Sequence, residues 1–177
     1  MSITLNLWKK LPNIRTLQAF VLRRVNDQFL IGVTGIIFNK KNEVLLLKHT
    51  YRRVPWSLPG GFLQAAEHPK AGIAREILEE TGFTVKIIRI VMTKTTRKGH
   101  LDISYFGEYV SGTFIPSDEV SHHKFVSPDK LPKLISDQYE QIAEALSRKK
   151  THDRLHRWDA VQRNTKRLFG FLQRKKS

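Results

Sequence analysis

The chain of 177 residues has no cysteine. That absence removes disulfides, a thiolate nucleophile and sulfur-ligated zinc, and it fits a reducing, cytoplasmic setting. No uninterrupted apolar run approaches the roughly 20 residues of a membrane span. The N-terminus is polar and basic between short apolar groups, without the continuous core of a signal peptide, so it is expected to be unprocessed. Acids are scarce at both ends. Residues 1–30 carry five Lys/Arg against one acid, and residues 148–177 carry eleven against two. The middle, 31–147, is close to neutral, with fifteen against thirteen. The net charge of +15 therefore lives in the ends, which suggest RNA or an anionic membrane surface as partners, or else solvated helix faces that keep the chain soluble.

What is present divides into three parts: a basic N-terminal helical extension (1–30), one domain (31–147) and a basic amphipathic C-terminal tail (148–177). Ile14, Leu17, Val21 and Val25 recur at helical spacing behind Pro12 and Asn13. Phe29 to Phe38 and Val44 to His49 read as strands joined by the turn Asn39 to Asn42. Pro69 opens a helix with Ile73, Ala74, Ile77 and Leu78 as its buried stripe, and Gly82 closes it. Thr84 to Thr95 and Leu101 to Val110 form two further strands around a polar turn. Ser117 to Pro128 is expected as a loop. Asp137 and Glu140 make a capping box for a helix carrying Tyr139, Ile142 and Leu146. Beyond Arg148, the residues Leu155, Trp158, Val161, Leu168 and Leu172 recur among basic residues.

The chemistry concentrates in Gly61 to Phe83, GFLQAAEHPKAGIAREILEETGF. Glu76, Glu79 and Glu80 stand at i, i+3 and i+4, which places three carboxylates along one helix edge. Like charges at that spacing disfavour an isolated helix and call for a compensating cation. Gly60 and Gly61 upstream permit close approach of a backbone carbonyl to a ligand. Arg52 and Arg53 precede this turn and could hold a phosphate through paired N–H donors, or serve as ordinary loop arginines.

The same stretch resembles the signature of the Nudix hydrolases, G-x(5)-E-x(7)-R-E-U-x-E-E-x-G-U, where U is bulky and apolar. Gly61, Glu67, Arg75, Glu76, Ile77, Glu79, Glu80, Gly82 and Phe83 fill every specified position. Chance agreement is on the order of one in a billion per starting position. Gly35 to Phe38, Val44 to Leu47, Trp56 to Gly61 and Phe125 to Pro132 also look like landmarks of that family in the usual order. The resemblance implies an α/β/α sandwich with a mixed β-sheet, here carrying N- and C-terminal helical extensions.

The resemblance further implies that Glu76 and Glu80 bind Mg²⁺ or Mn²⁺, with the Gly61 carbonyl as an additional ligand. Glu79 is then a further ligand or the base acting on water, a role for which Glu76 competes. Glu67 and Arg75 look like the supporting pair. The late loop offers Glu119, His122 and His123, with His122 standing where relatives often have Glu. Ala66 departs from a common glycine, and His68 occupies the N-cap position, a poorer choice than Ser or Asp. The implied reaction is hydrolysis of a nucleoside diphosphate linked to X, with ADP-ribose-like or nucleotide-sugar substrates favoured. RNA 5′-end or nucleoside triphosphate pyrophosphohydrolysis and a nucleotide-binding regulatory module are the alternatives. The lack of cysteine argues against the isoprenoid diphosphate isomerases of this fold, and homodimers are common in the family.

Overall fold

Strand β1 (Leu30–Phe38) and strand β2 (Val44–His49) are nearly continuous apolar runs, as befits strands covered on both faces. The computed structural model describes residues 30–97 and 99–154. The helix expected over 14–25 and the tail positions from Leu155 onward lie outside these residues. Between β1 and β2 the Asn39 side chain holds the turn, its Oδ1 accepting from Lys41 N (2.9 Å) and Glu43 N (3.0 Å). Then follow β3 (Trp56–Ser57), β4 (Gly60–Phe62), helix α1 (Pro69–Thr81), β5 (Phe83–Arg97), β6 (His100–Gly112) and β7 (Val120–Val126). Residues 136–154 form a second helix, α2.

The sheet runs β3-β2-β1-β6-β5, with β4 pairing β1 and β7 pairing β2. Among the described residues only β1 and β6 are parallel, in the register Val33 to Ile103 and Ile37 to Gly107; the other pairs are antiparallel. Alternation along the strands sorts the core into two layers. Val33, Ile37, Leu45 and Leu47 meet Ile73 and Ile77 of α1. Ile36, Phe38, Val44 and Leu46 meet Ile142 and Ala145 of α2. The result is the expected mixed-sheet α/β/α sandwich.

Three local expectations are corrected. Residues 120–126 are a strand, not loop: Val126 to His122 pair residue for residue with Val44 to Lys48. The run Ser121-His122-His123-Lys124 has weak strand propensity, and pairing with the apolar β2 overrides it. Helix α1 is rotated relative to the expected stripe. Gly72, Ile73, Ile77, Glu80 and Thr81 are buried, whereas Leu78 is 53% exposed. The rotation follows from close contact with β1, where a Cβ on Gly35 would lie 2.9 Å from Ile77 Cδ1. Finally, Asp137 and Glu140 form no capping box; both reach across to Lys94 Nζ on β5, at 3.1 and 3.5 Å.

Helix α2 crosses residue 147 without a break, and His152 meets the Phe106 ring edge-on. Strand β5 ends the main path of the sheet, and cations cover its outer edge. Lys70 Nζ donates to Ile88 O (2.8 Å) and Arg148 Nη1 to Ile90 O (3.4 Å). Among the described residues, no helix is long and apolar enough to cross a membrane.

Candidate active site

Helix α1 carries the acidic edge, and both its ends are built as the sequence indicates. His68 caps the N-terminus, its Nδ1 accepting from Lys70 N at 3.2 Å, and Pro69 follows in the first turn. At the other end Gly82 adopts φ 74°, and its N–H returns to Leu78 O. A left-handed residue at this position normally requires glycine. The preceding loop contains a less comfortable case, since Ala66 also has a left-handed φ of 64°.

Arg75 is the organising side chain. Its Nε and Nη2 donate to the two oxygens of Glu67 (2.8 and 2.9 Å), and Nη2 also reaches Phe62 O (3.2 Å). Its Nη1 bridges Glu76 Oε1 (3.0 Å) and Glu79 Oε2 (2.9 Å). One guanidinium thus ties the loop acid, β4 and two edge acids together, a fork geometry that lysine cannot reproduce. These hydrogen bonds lower the Glu67 pKa to about 2 and push that of Arg75 further up.

Glu80 is different in kind. It is 8% exposed, and Gly60 N donates to its Oε2 at 3.3 Å. Burial pushes its pKa up to about 8; the Gly60 N–H and Arg52 oppose that, while Glu76 and Glu119 reinforce it. Beside it, a side chain on Gly61 would collide with the Glu76 carboxylate. Glycine there lets β4 lie directly against the acid.

These groups form one wall of an open cleft of about 830 Å³. Gly61, Glu76, Glu79 and Glu80 line it together with Arg52 and, from the segment before β7, Asp118 and Glu119. Arg52 donates through Nη1 to Ser57 Oγ at 3.0 Å. Arg53 is exposed and does not line the cleft, so the expected arginine pair is one arginine. Glu67 and Arg75 stand behind the wall.

Neither His122 nor His123 lines the cleft. His123 packs among Phe83 (5.0 Å) and Phe114 (4.5 Å), and burial lowers its pKa. Of the late segment's residues weighed from sequence, Glu119 is the one at the cleft. Asp102 on β6 and Gln138 and Gln141 on α2 also line it, and sequence reading overlooked all three. For the glutamines a signal existed, since polar residues occupy positions of an otherwise apolar helical stripe.

The donor set suits a hard divalent cation: carboxylates, a backbone carbonyl and a buried acid without a full positive partner. Among the described residues no group of three His, Asp or Glu is already gathered at ligating distance. Instead Arg75 holds Glu76 and Glu79, and the Gly60 N–H holds Glu80.

Residues 28–146 match the NUDIX domain family, and the chain belongs to that family. It is a diphosphohydrolase of the Nudix type. Among curated relatives, it is 32% identical over 119 residues to the ADP-ribose pyrophosphatase of Methanocaldococcus jannaschii, spanning 63% of this chain and 69% of that protein. To a putative 8-oxo-dGTP diphosphatase of Bacillus subtilis it is 35% identical over 118 residues, spanning 63% of this chain and 76% of the other. A MutT protein structure from Methanosarcina mazei superposes with a TM-score of 0.59 at 29% identity, covering 71% of this chain and 99% of that one.

Proposed function

We propose that this protein hydrolyses the diphosphate linkage of a nucleoside diphosphate joined to a second group, an ADP-ribose-like or nucleotide-sugar substrate. The observation that carries the proposal is the convergence of Gly61, Glu76, Glu79, Glu80 and Arg52 on one cleft. The similarity to a protein named as an ADP-ribose pyrophosphatase supports the substrate class. The near-neutral unit of residues 31–147 is proposed as the catalytic domain, with basic extensions at either side.

In this reading Glu76, Glu80 and the Gly61 carbonyl hold Mg²⁺ or Mn²⁺. When bound, the cation neutralises diphosphate charge and lowers the pKa of water. Arg52, in the same cleft, binds a phosphate oxygen. Arg75 and Glu67 keep α1 and its acids in register, acting through those acids and not on substrate. Glu79, at the exposed rim, accepts the proton of the attacking water. Glu76 and Glu119 compete for that role. Comparing Glu79→Gln with Glu119→Gln ranks two of them, since general-base loss removes about 10²–10⁴ of the rate.

The decisive experiment incubates the protein with a nucleotide panel in Mg²⁺ or Mn²⁺ and identifies products by mass spectrometry. Glu80→Gln should abolish metal-dependent release of the two phosphate-bearing products. Nucleotide binding without turnover in the wild-type protein would favour the regulatory-module alternative.

A further inference from the structure

Strands β3 and β7 flank β2, and residues directly opposite one another on antiparallel strands share a face of the sheet. Trp56 stands opposite Lys48, and Lys48 stands opposite His122. Lys124 lies two residues further along β7, opposite Leu46. All four therefore belong to the face on which Leu46 and Trp56 meet the α2 layer. His122 is exposed, and Lys48, Trp56 and Lys124 are half-buried. Lys124 Nζ sits 3.9 Å from the centroid of the Trp56 ring, a contact that fixes the ammonium before any ligand arrives. Beyond β7, Leu131 and Leu134 pack into the same layer, and their neighbours Lys130 and Lys133 are exposed.

On α2 and β5, cations are matched by acids: Lys94 by Asp137 and Glu140, Arg148 by Glu144, Lys149 by Asp153. Lys48, His122 and Lys124 meet no acid among the described residues. Asp129, in the turn after β7, instead accepts from Ser127 Oγ. Positive charges gathered on neighbouring strands repel one another, so the arrangement calls for an anion from outside. Protection of a free sheet edge accounts for lysine on an outer strand. It does not account for Lys48, because β2 is paired on both sides there. A surface that dips into a membrane needs exposed apolar side chains. Among the described residues, none of the large exposed apolar side chains belongs to β2, β3 or β7.

We propose that the β3-β2-β7 face binds a single-stranded nucleic acid through its phosphates. Neighbouring strands lie about 5 Å apart, and alternate residues along a strand about 7 Å apart. Cations at those separations form a row that follows a chain of phosphates, not a pocket closed around one small anion. A positive track with an aromatic side chain set into it is the surface that single strands use. None of Lys48, Trp56, His122 and Lys124 lines the acidic cleft, so binding here is separable from reaction there. The proposal goes beyond the diphosphohydrolase reading and does not rest on it.

The test titrates the full chain into a fluorescein-labelled oligouridylate of about 15 nucleotides and follows anisotropy at several salt concentrations. Each phosphate contact to a single strand contributes about 0.7 to the slope of log affinity against log salt. Lys48→Gln with Lys124→Gln should therefore flatten that slope by about 1.4 and weaken binding about 25-fold near 0.1 M salt. Lys86→Gln with Arg89→Gln removes the same charge from β5, at the far end of the sheet, and should leave the slope unchanged. Lys48→Arg with Lys124→Arg keeps the charges and should bind as wild type. If the double glutamine variant melts lower than wild type, Lys124→Gln alone is read, with half the change in slope. The proposal is overturned if the wild-type protein does not bind, if the slope survives in the glutamine variant, or if the β5 control loses as much. It is also overturned if the glutamine variant loses binding to phosphatidylglycerol vesicles but not to the RNA. Turnover of the nucleotide panel tests the hydrolase reading separately, and its failure would leave this one standing.

Discussion

His49 offers a sharp test of how burial governs this fold. It is 3% exposed at the end of β2, and neither ring nitrogen has a hydrogen-bond partner among the described residues. Burial first, and the Arg52 charge second, hold its pKa at about 4 instead of 6.5. The folded protein therefore keeps His49 neutral at a pH where the unfolded chain has already taken up a proton. Its contribution to stability is intact above 6.5 and is lost as pH falls from 6.5 towards 4. Linkage puts the loss at about 2 kcal/mol near pH 5 and about 3 kcal/mol once the pH is below the folded pKa. Burial lowers the His123 pKa too, so acid sensitivity of the wild-type protein alone does not isolate the effect. Urea unfolding of wild type and His49→Leu, each near pH 7.5 and about pH 5, does isolate it. The wild-type protein should lose about 2 kcal/mol more than the variant over that interval. Equal losses would refute the argument and show that His49 is solvated in the folded state.

Four further outcomes follow from features already described. Ala66→Gly relieves a left-handed φ that disfavours alanine by about 1–2 kcal/mol, partly offset by the greater chain entropy of glycine; thermal melting should show a net gain of about 0.5–1 kcal/mol, and a loss would refute the strain. Arg75→Lys cannot hold Glu67, Glu76 and Glu79 at once, so metal affinity or turnover should fall about 10–100-fold with the fold retained. The low pKa of Glu67 also predicts that stability supplied by this pair persists above about 4.5 and declines as pH drops through about 2. Acid titrations of wild type and Glu67→Gln would check that. Removing both edge covers, with Lys70→Ala and Arg148→Ala together, exposes the outer edge of β5 and should increase self-association in analytical ultracentrifugation; an unchanged sedimentation profile would show that the edge is protected by other means.

Much of the scaffold was legible in local pattern. Pro69 and Gly82 bound α1 because their backbone requirements are intrinsic to those residues. The strand pairs around Asn39 and Gly99 were legible because turn chemistry and apolar runs agree there. The β7 strand was not, since a Ser-His-His-Lys run acquires strand geometry only by pairing with β2, some 75 residues earlier, and nothing local announces that partner. Nor was the rotation of α1, set by the missing side chain at Gly35 and the fit of Ile73 and Ile77 over it. That rotation buries Glu80 and exposes Leu78, reversing what polarity alone suggests. The candidate site was legible where its spacing lies within a single helix and loop. It was illegible where the cleft draws on β6, on the segment before β7 and on α2.

The glutamines on α2 and Glu80 on α1 break the apolar pattern on opposite layers of the sandwich, yet both breaks open on the same cleft. An unmatched buried amide oxygen costs about 1–3 kcal/mol, and a carboxyl with its pKa raised to about 8 costs a comparable amount or more as it ionises. A core assembled for stability alone would carry leucine at these positions. The surrounding β1 and β2 residues, several fully buried at about 1.5–3 kcal/mol each, offset such losses and keep the cleft walls fixed. Where local pattern fails and the failures converge in space, function is the economical explanation. For this chain Glu80, Gln138 and Gln141 all fall on the wall of the one cleft that holds the acidic edge.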